Sequence, residues 1–529
     1  MTMRRRDFVM GVAAGGAVSA LSTPALVQPA AARILRFVPQ ANLAHPDPVW
    51  STATMATING FMIWDTLYGV DRTLTPKPQM CEGSEVSDDG LTWTFALREG
   101  LMFHDGVPVR AADCVMSIRR WAERNPFGQL LAARMNEIAA LDDRRFQIRL
   151  KRPYPPMLYA LAGTSACFMM PERMAATPSS KAITEFVGSG PYRFLPDQWV
   201  SGVKAEYARF DGYRPRQEAP DCYAGGKVAH FDRVQWSIQP DPATAAAALR
   251  TGEVDWVEQP LLDLVPSLKR ARGVKVEPFD PMGTVYMLVF NHLQAPFNNE
   301  KLRRALLPAV DQADFVRAIV GDQEDLGRTG VGFFPLGSPS ASTVGMEALT
   351  SPRSIARARE LVAASGYAGE PVVLMEPSDV APLSAVAQVA ADLFKKVGLN
   401  VRADTMDLAT MVARRNKKEP VDQGGWSCFP VQWNGLPVAT PLSNPLSASG
   451  PNGWIGWPTS PAREALRSEW LDAGSEAERR RVSEAVQREA FASVPFIPAC
   501  QYYQPAAFRD DLTGFVKSPF SVFWGVRRV

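Results

Sequence analysis

The chain has 529 residues, with 57 Lys and Arg against 55 Asp and Glu; 46% of its residues are hydrophobic and 21% charged. That near-balance excludes a protein that works by displacing counterions from nucleic acid or by laying a cationic patch on a membrane surface, since both need a basic stripe. The apolar content and the length exclude disorder and allow more than one hydrophobic core.

The first segment reads as an export leader. Arg4-Arg5-Arg6 is followed by Phe8 and by the weakly apolar stretch 9–27, which is broken by Gly11, Gly15, Gly16 and Pro24. The Arg5-Arg6 pair resembles a twin-arginine signal, and the exit Pro29-Ala30-Ala31-Ala32 predicts cleavage after Ala32. A short membrane anchor is the competing reading of the same stretch. No Cys stands at the exit, so a free periplasmic protein is expected rather than a lipid-anchored one. Taking the three arginines from 57 and Asp7 from 55 leaves 54 side chains of each sign in the mature chain.

Beyond the leader, helical and strand patterns alternate. Leu91, Trp93, Phe95 and Leu97 share one face of a strand, as do Phe146, Ile148 and Leu150, and again Val234, Trp236 and Ile238. Asp89-Gly90 predicts a turn. Ser351-Pro352 predicts a helix start running to a stop at Gly366; Leu383, Val386, Ala390, Leu393 and Val397 stripe the next helix, which stops at Gly398. Ser460-Pro461 opens another, and Ser475 with Glu478 forms a capping box for the last. Proline-rich stretches at 76–78, 153–156 and 335–339 predict surface loops or lobe boundaries. The alternation predicts α/β lobes.

Local catalytic motifs do not emerge. The four histidines, His45, His104, His230 and His292, lie at no ligand spacing, and Val187-Gly188-Ser189-Gly190-Pro191 fails the spacing of a nucleophile elbow. Asp88-Asp89 and Asp142-Asp143 are adjacent rather than facing and predict solvated turns. The six cysteines stand apart with neither metal nor redox spacing, so small buried hydrophobes and disulfide partners both stay open. Neither a cofactor nor a metal is implied.

Residues 81–118, CEGSEVSDDGLTWTFALREGLMFHDGVPVRAADCVMSI, resemble the signature segment of the peptide/nickel-type (family 5) bacterial solute-binding proteins. Further similar blocks follow in order: Gly188-Ser189-Gly190-Pro191-Tyr192, Phe231-Asp232-Arg233-Val234, Leu249 to Asp255, Ala295-Pro296-Phe297-Asn298, Phe394 to Gly398, and Pro495-Phe496-Ile497-Pro498. Their glycines and Asp113 read as turn and cap chemistry, so His104-Asp105 is expected to be scaffold rather than a dyad.

The resemblance implies a two-lobed α/β type II (cluster C) periplasmic binding protein with an inserted subdomain. It places lobe one at 33–72, 187–282 and 497–529, the subdomain at 73–186, and lobe two at 283–496, with two hinge crossings. It implies an ABC importer's binding component that hands a peptide or peptide-sized solute to a permease with separate ATPase subunits, acting as a monomer, with no nucleic-acid partner. For the ligand site it implies Trp426 as a pocket wall, and Phe429 where peptide binders carry an Asp for the solute's ammonium group. Thr52, Thr54, Glu376, Gln423 and Arg414 are the polar candidates, and Trp433 and Trp454 further aromatic walls; Arg414 reads equally as a surface cation. Phe429 accepts no hydrogen bond, which points to a modified or non-peptide solute such as an oligosaccharide, opine or aromatic compound. A periplasmic enzyme, and a sensory or chaperone use of the same scaffold, are the alternatives; no residue speaks for either.

Overall fold

A computed structural model describes residues 33–51, 53–162 and 167–529; the leader and its cleavage point lie outside them. Two large sheets organise the chain. Seven strands, Val274–Pro278, Pro505–Arg509, Trp256–Val257, Ile34–Val38, Arg233–Ser237, Lys204–Arg209 and Tyr192–Phe194, lie side by side in that order, and Ile34–Val38 runs parallel to both of its neighbours. Six others, Gly327–Arg328, Phe496–Tyr502, Thr284–Phe290, Cys428–Asn434, Pro371–Pro377 and Asn400–Met406, form the second sheet. Each sheet has its own buried cluster: Phe37, Trp236, Trp256 and Phe523 under the first, and Leu288, Phe290, Phe297 and Phe394 under the second. Burying such side chains contributes roughly 2 kcal/mol each, so each half is built around its own apolar core.

A four-stranded sheet of Cys81–Val86, Thr92–Leu97, Arg145–Leu150 and Met135–Ala140 forms a subdomain on the first half. The alternation read in the sequence is its construction rule: Phe146, Ile148 and Leu150 are buried, and Phe95 stacks on Phe146 at 4.9 Å. Helix Ala111–Ala122 ties it down, because Arg120 pairs in bidentate fashion with Asp47 at 2.7 and 3.2 Å and both side chains are fully buried. His104 completes the join. Its Nδ1 accepts from Gly188 N at 3.1 Å, leaving Nε2–H to donate to Gly190 O at 3.0 Å, and burial pulls its pKa down to about 4. Gly188 is required there, since a Cβ would sit 1.5 Å from Ile63 O.

Several local expectations hold. Ser460 accepts from Arg463 N at 3.1 Å at the start of Pro461–Asp472, the Ser475–Glu478 capping box is formed at the start of Glu476–Ser493, and Gly398 follows helix Ala381–Lys396 at φ +97°. Others are corrected. The helix placed at Ser351 begins at Ile355, where Ser354 accepts from Arg357 N; Ser351 instead donates back to Glu347 O. Pro76–Pro78 is no loop but a short strand paired with Tyr68–Val70. The return crossing placed at 497 comes after Tyr502, because Phe496–Tyr502 pairs with Thr284–Phe290 and buries its whole length in the second half. All six cysteines are buried and unpaired.

Candidate functional site

The halves are joined by two adjacent crossings. Residues 279–283 carry the chain out of Val274–Pro278 into Thr284–Phe290, and Tyr503-Gln504 carry it back from Phe496–Tyr502 into Pro505–Arg509. Pro278 pairs with Pro505 and Thr284 with Tyr502, so the crossings run side by side as a two-stranded hinge. Gly283 has φ +54° and lies so close that a Cβ would meet Tyr502 O at 2.3 Å. Gln501, fully buried, donates to Met282 O at 2.6 Å and Leu336 O at 3.1 Å while accepting from Leu336 N at 2.8 Å. Asp280 accepts from Met282 N at 2.8 Å, and burial pushes its pKa up to about 6.

To one side of this hinge the halves enclose a cavity of about 660 Å³. Residues 72–76, Trp93 and the stretch 155–159 wall it from the first half and its subdomain; Gly337–Ser340, Ala439, Thr440, Trp470 and the helix turn carrying Arg479 and Ser483 wall it from the second. All three proline-rich stretches therefore meet here, through Pro76, Pro155, Pro156 and Pro339. Proline suits such a wall because its fixed φ holds a loop rigid without secondary structure. The volume falls within the roughly 300–1,000 Å³ of small-molecule sites, and the wall combines aromatic rings with hydroxyl and guanidinium groups. Trp93 Nε1, Trp470 Nε1 and Ser338 Oγ are buried in this wall without a hydrogen-bond partner among the described residues. Arg134 of the subdomain bridges the halves beside it by pairing with Asp472, two residues after Trp470.

The residues singled out in the sequence lie elsewhere. Trp426 and Phe429 are fully buried, packed edge-to-face at 4.9 Å with Trp457 5.8 Å away, and Trp426 Nε1 donates to Arg415 O. They belong to the buried core of the second half. Trp433, on the same face of strand Cys428–Asn434 as Phe429 but at its hinge end opposite Val285, is half-buried, meets Trp454 edge-on at 5.9 Å, and has an Nε1 without a partner among the described residues. Arg414 donates to Gly424 O and Gly425 O and pairs with Asp404 at 2.9 Å, so it clamps the turn beside exposed Gln423. Glu376 accepts from Ser384 Oγ and Gln388 Nε2 at 2.7 Å each, and these bonds hold its pKa low. Thr54 starts helix Thr54–Ile63; Thr52 lies outside the described residues. None of the described ones lines the cavity. Of its own lining, Trp93 stood out in the sequence only as part of a strand face, and Tyr159, Trp470 and Arg479 carried no signal that aims them at a cavity.

Nothing in the loop at 187–191 is poised for chemistry. Ser189 Oγ accepts from Asp65 N at 3.0 Å and donates to Met169 O at 3.1 Å, buried in the join between subdomain and first half.

The sequence profile of the bacterial extracellular solute-binding proteins, family 5 (middle region), matches residues 75–454. A Sinorhizobium fredii protein named a probable peptide ABC transporter periplasmic-binding protein is 37% identical over all of both chains. Among solved structures, the Helicobacter pylori periplasmic binding protein DppA in complex with the peptide STSA has a TM-score of 0.74 at 20% identity, covering 94% of this chain and 98% of that one. The binding protein AgaA of A. tumefaciens R10, in complex with agropinic acid, has a TM-score of 0.73 at 21% identity, covering 94% and 99%.

Proposed function

Since the chain belongs to the bacterial extracellular solute-binding proteins of family 5, we propose that it captures a peptide or peptide-sized solute in the cavity between its halves and delivers it to an ABC importer. Its fold is the two-lobed α/β cluster C architecture of periplasmic binding proteins, with an inserted subdomain. The observation that carries the choice of site is the cavity itself: it is walled by both halves, and the halves are joined by only two adjacent crossings. Rotation about residues 279–283 and 503–504 opens or closes such a space, and a solute that contacts both walls stabilises the closed form.

The partners in this reading are a membrane permease and separate ATPase subunits, and the protein works as a periplasmic monomer after cleavage of its leader near Ala32. No helix among the described residues is long and apolar enough to cross a membrane. The solute leaves unchanged in this reading, because the wall holds neither a serine beside a histidine nor a facing pair of carboxylates. A non-peptide solute is the second reading, favoured by the absence of any Asp from the wall and by its three tryptophan and tyrosine rings. A thermal-shift screen of peptides, oligosaccharides, opines and aromatic acids tests both. A bound solute raises the melting temperature by mass action, and a substrate that disappears on incubation would show an enzyme instead.

A further inference from the structure

We propose that the cavity selects its solute by a carboxylate or a comparable anion, received by the guanidinium of Arg479, rather than by a free ammonium group; this rests on the importer reading above. Three guanidinium groups line the cavity, those of Arg72, Arg479 and Arg480, against one carboxylate, the exposed Glu476. Two of the three cations are already engaged: Arg72 with Asp221 at 3.2 Å and Arg480 with Glu484 at 3.7 Å. Arg479 is different. It is half-buried, its guanidinium donates from Nη1 to Ala473 O at 3.1 Å, and it takes part in no ion pair among the described residues.

A partly desolvated cation with no carboxylate in direct contact is costly, and burial lowers the pKa of Arg479 against the longer-range pull of Glu476 and Glu478. The remaining N–H groups of a guanidinium form a planar fork that fits a carboxylate. Other wall groups agree in sign. Trp93 Nε1 and Trp470 Nε1 can only donate, and Ser338 Oγ is without a partner among the described residues; Ser338 and Trp470 are 8% and 5% exposed. A wall rich in donors and cations suits a solute rich in acceptors. The rings of Trp93, Tyr159 and Trp470 leave room for an apolar or planar body beside the anion. The class is an anionic, peptide-sized solute without an obligatory free amine, such as an amino-blocked dipeptide.

The test is titration calorimetry of the full mature chain with three probes: amino-acetylated phenylalanyl-alanine, the same compound as its carboxyl amide, and phenylalanyl-alanine amide with a free amine. The acetylated acid is expected to bind at least about ten-fold more tightly than either amide. Arg479→Gln is expected to abolish that preference and Arg479→Lys to keep part of it, with circular-dichroism melting confirming that both variants fold. Equal binding of acid and amide, preference for the free amine, no binding of the acid, or an undiminished preference in Arg479→Gln overturns the proposal. The importer reading fails separately, if no neutral, cationic or anionic solute in the wider screen shifts the melting temperature and native mass spectrometry of protein from its host carries no cargo.

Discussion

Arg134 and Asp472 join the subdomain to the second half: the arginine side chain is 2% exposed and the aspartate 57%, and their contact spans 338 positions of sequence. Arg134 is held for this contact by donating to Pro153 O at 2.6 Å and lying over the Tyr154 ring at 5.6 Å. Asp472 ends the helix that brings Trp470 to the cavity, so the pair links the two walls directly.

Replacing Asp472 by Asn is therefore expected to weaken the closed form without unfolding either half. Because the carboxylate is more than half exposed, the loss is at most about 1 kcal/mol, or up to roughly five-fold in solute affinity. Small-angle scattering should show a larger radius of gyration for the solute-free variant. An unchanged radius and affinity would remove the pair from the closing motion.

Lys227 and Asp65 form a fully buried pair at 2.7 Å, with Tyr213 Oη donating to the same carboxylate at 2.8 Å and the Trp524 ring 4.9 Å from the ammonium. Lys227→Met strands a buried carboxylate and is expected to cost about 3–5 kcal/mol in denaturant unfolding, while adding Asp65→Leu recovers part of it. A single mutant as stable as the parent would contradict this assignment.

The hinge carboxyl of Asp280 predicts a pH dependence. It titrates at about 6 in the fold against an ordinary 3.8, so the folded chain holds this proton more tightly than the unfolded chain. The group's contribution to stability is fully present below about pH 4 and is lost as pH rises through about 6, a change of about 2–3 kcal/mol. Asp280→Asn keeps an acceptor for Met282 N and is expected to be more stable than the parent at pH 8 and equal to it near pH 4. Denaturation midpoints that run parallel across that range would refute it.

Phe429→Asp tests whether Phe429 faces the solute. If Phe429 faced the solute, the variant would gain affinity for peptides with a free amine. Its burial against Trp426 predicts instead a loss of several kcal/mol of stability and no such gain.

Local chemistry was legible wherever neighbours in sequence settle it. The Ser475–Glu478 box, the Ser460 cap and the stop at Gly398 each involve residues within one helical turn. Ser351 misled because Ser354, three residues on, offers the same hydroxyl one turn nearer the apolar stripe. Pro76–Pro78 misled because prolines are tolerated in a short edge pairing.

The sequence by itself determined the alternating strands, the caps and turns, and through the ordered blocks from Cys81 to Pro498 the family and its two-lobed plan. Only the tertiary structure decided which side chains line the cavity between the halves. Periodicity tells which face of a strand is buried, not whether that face meets its own core, as at Phe429, or a space between halves, as at Trp93. The cavity wall gathers residues from Arg72 to Ser483, and no spacing rule connects positions that meet only because two separately built cores are hinged against each other.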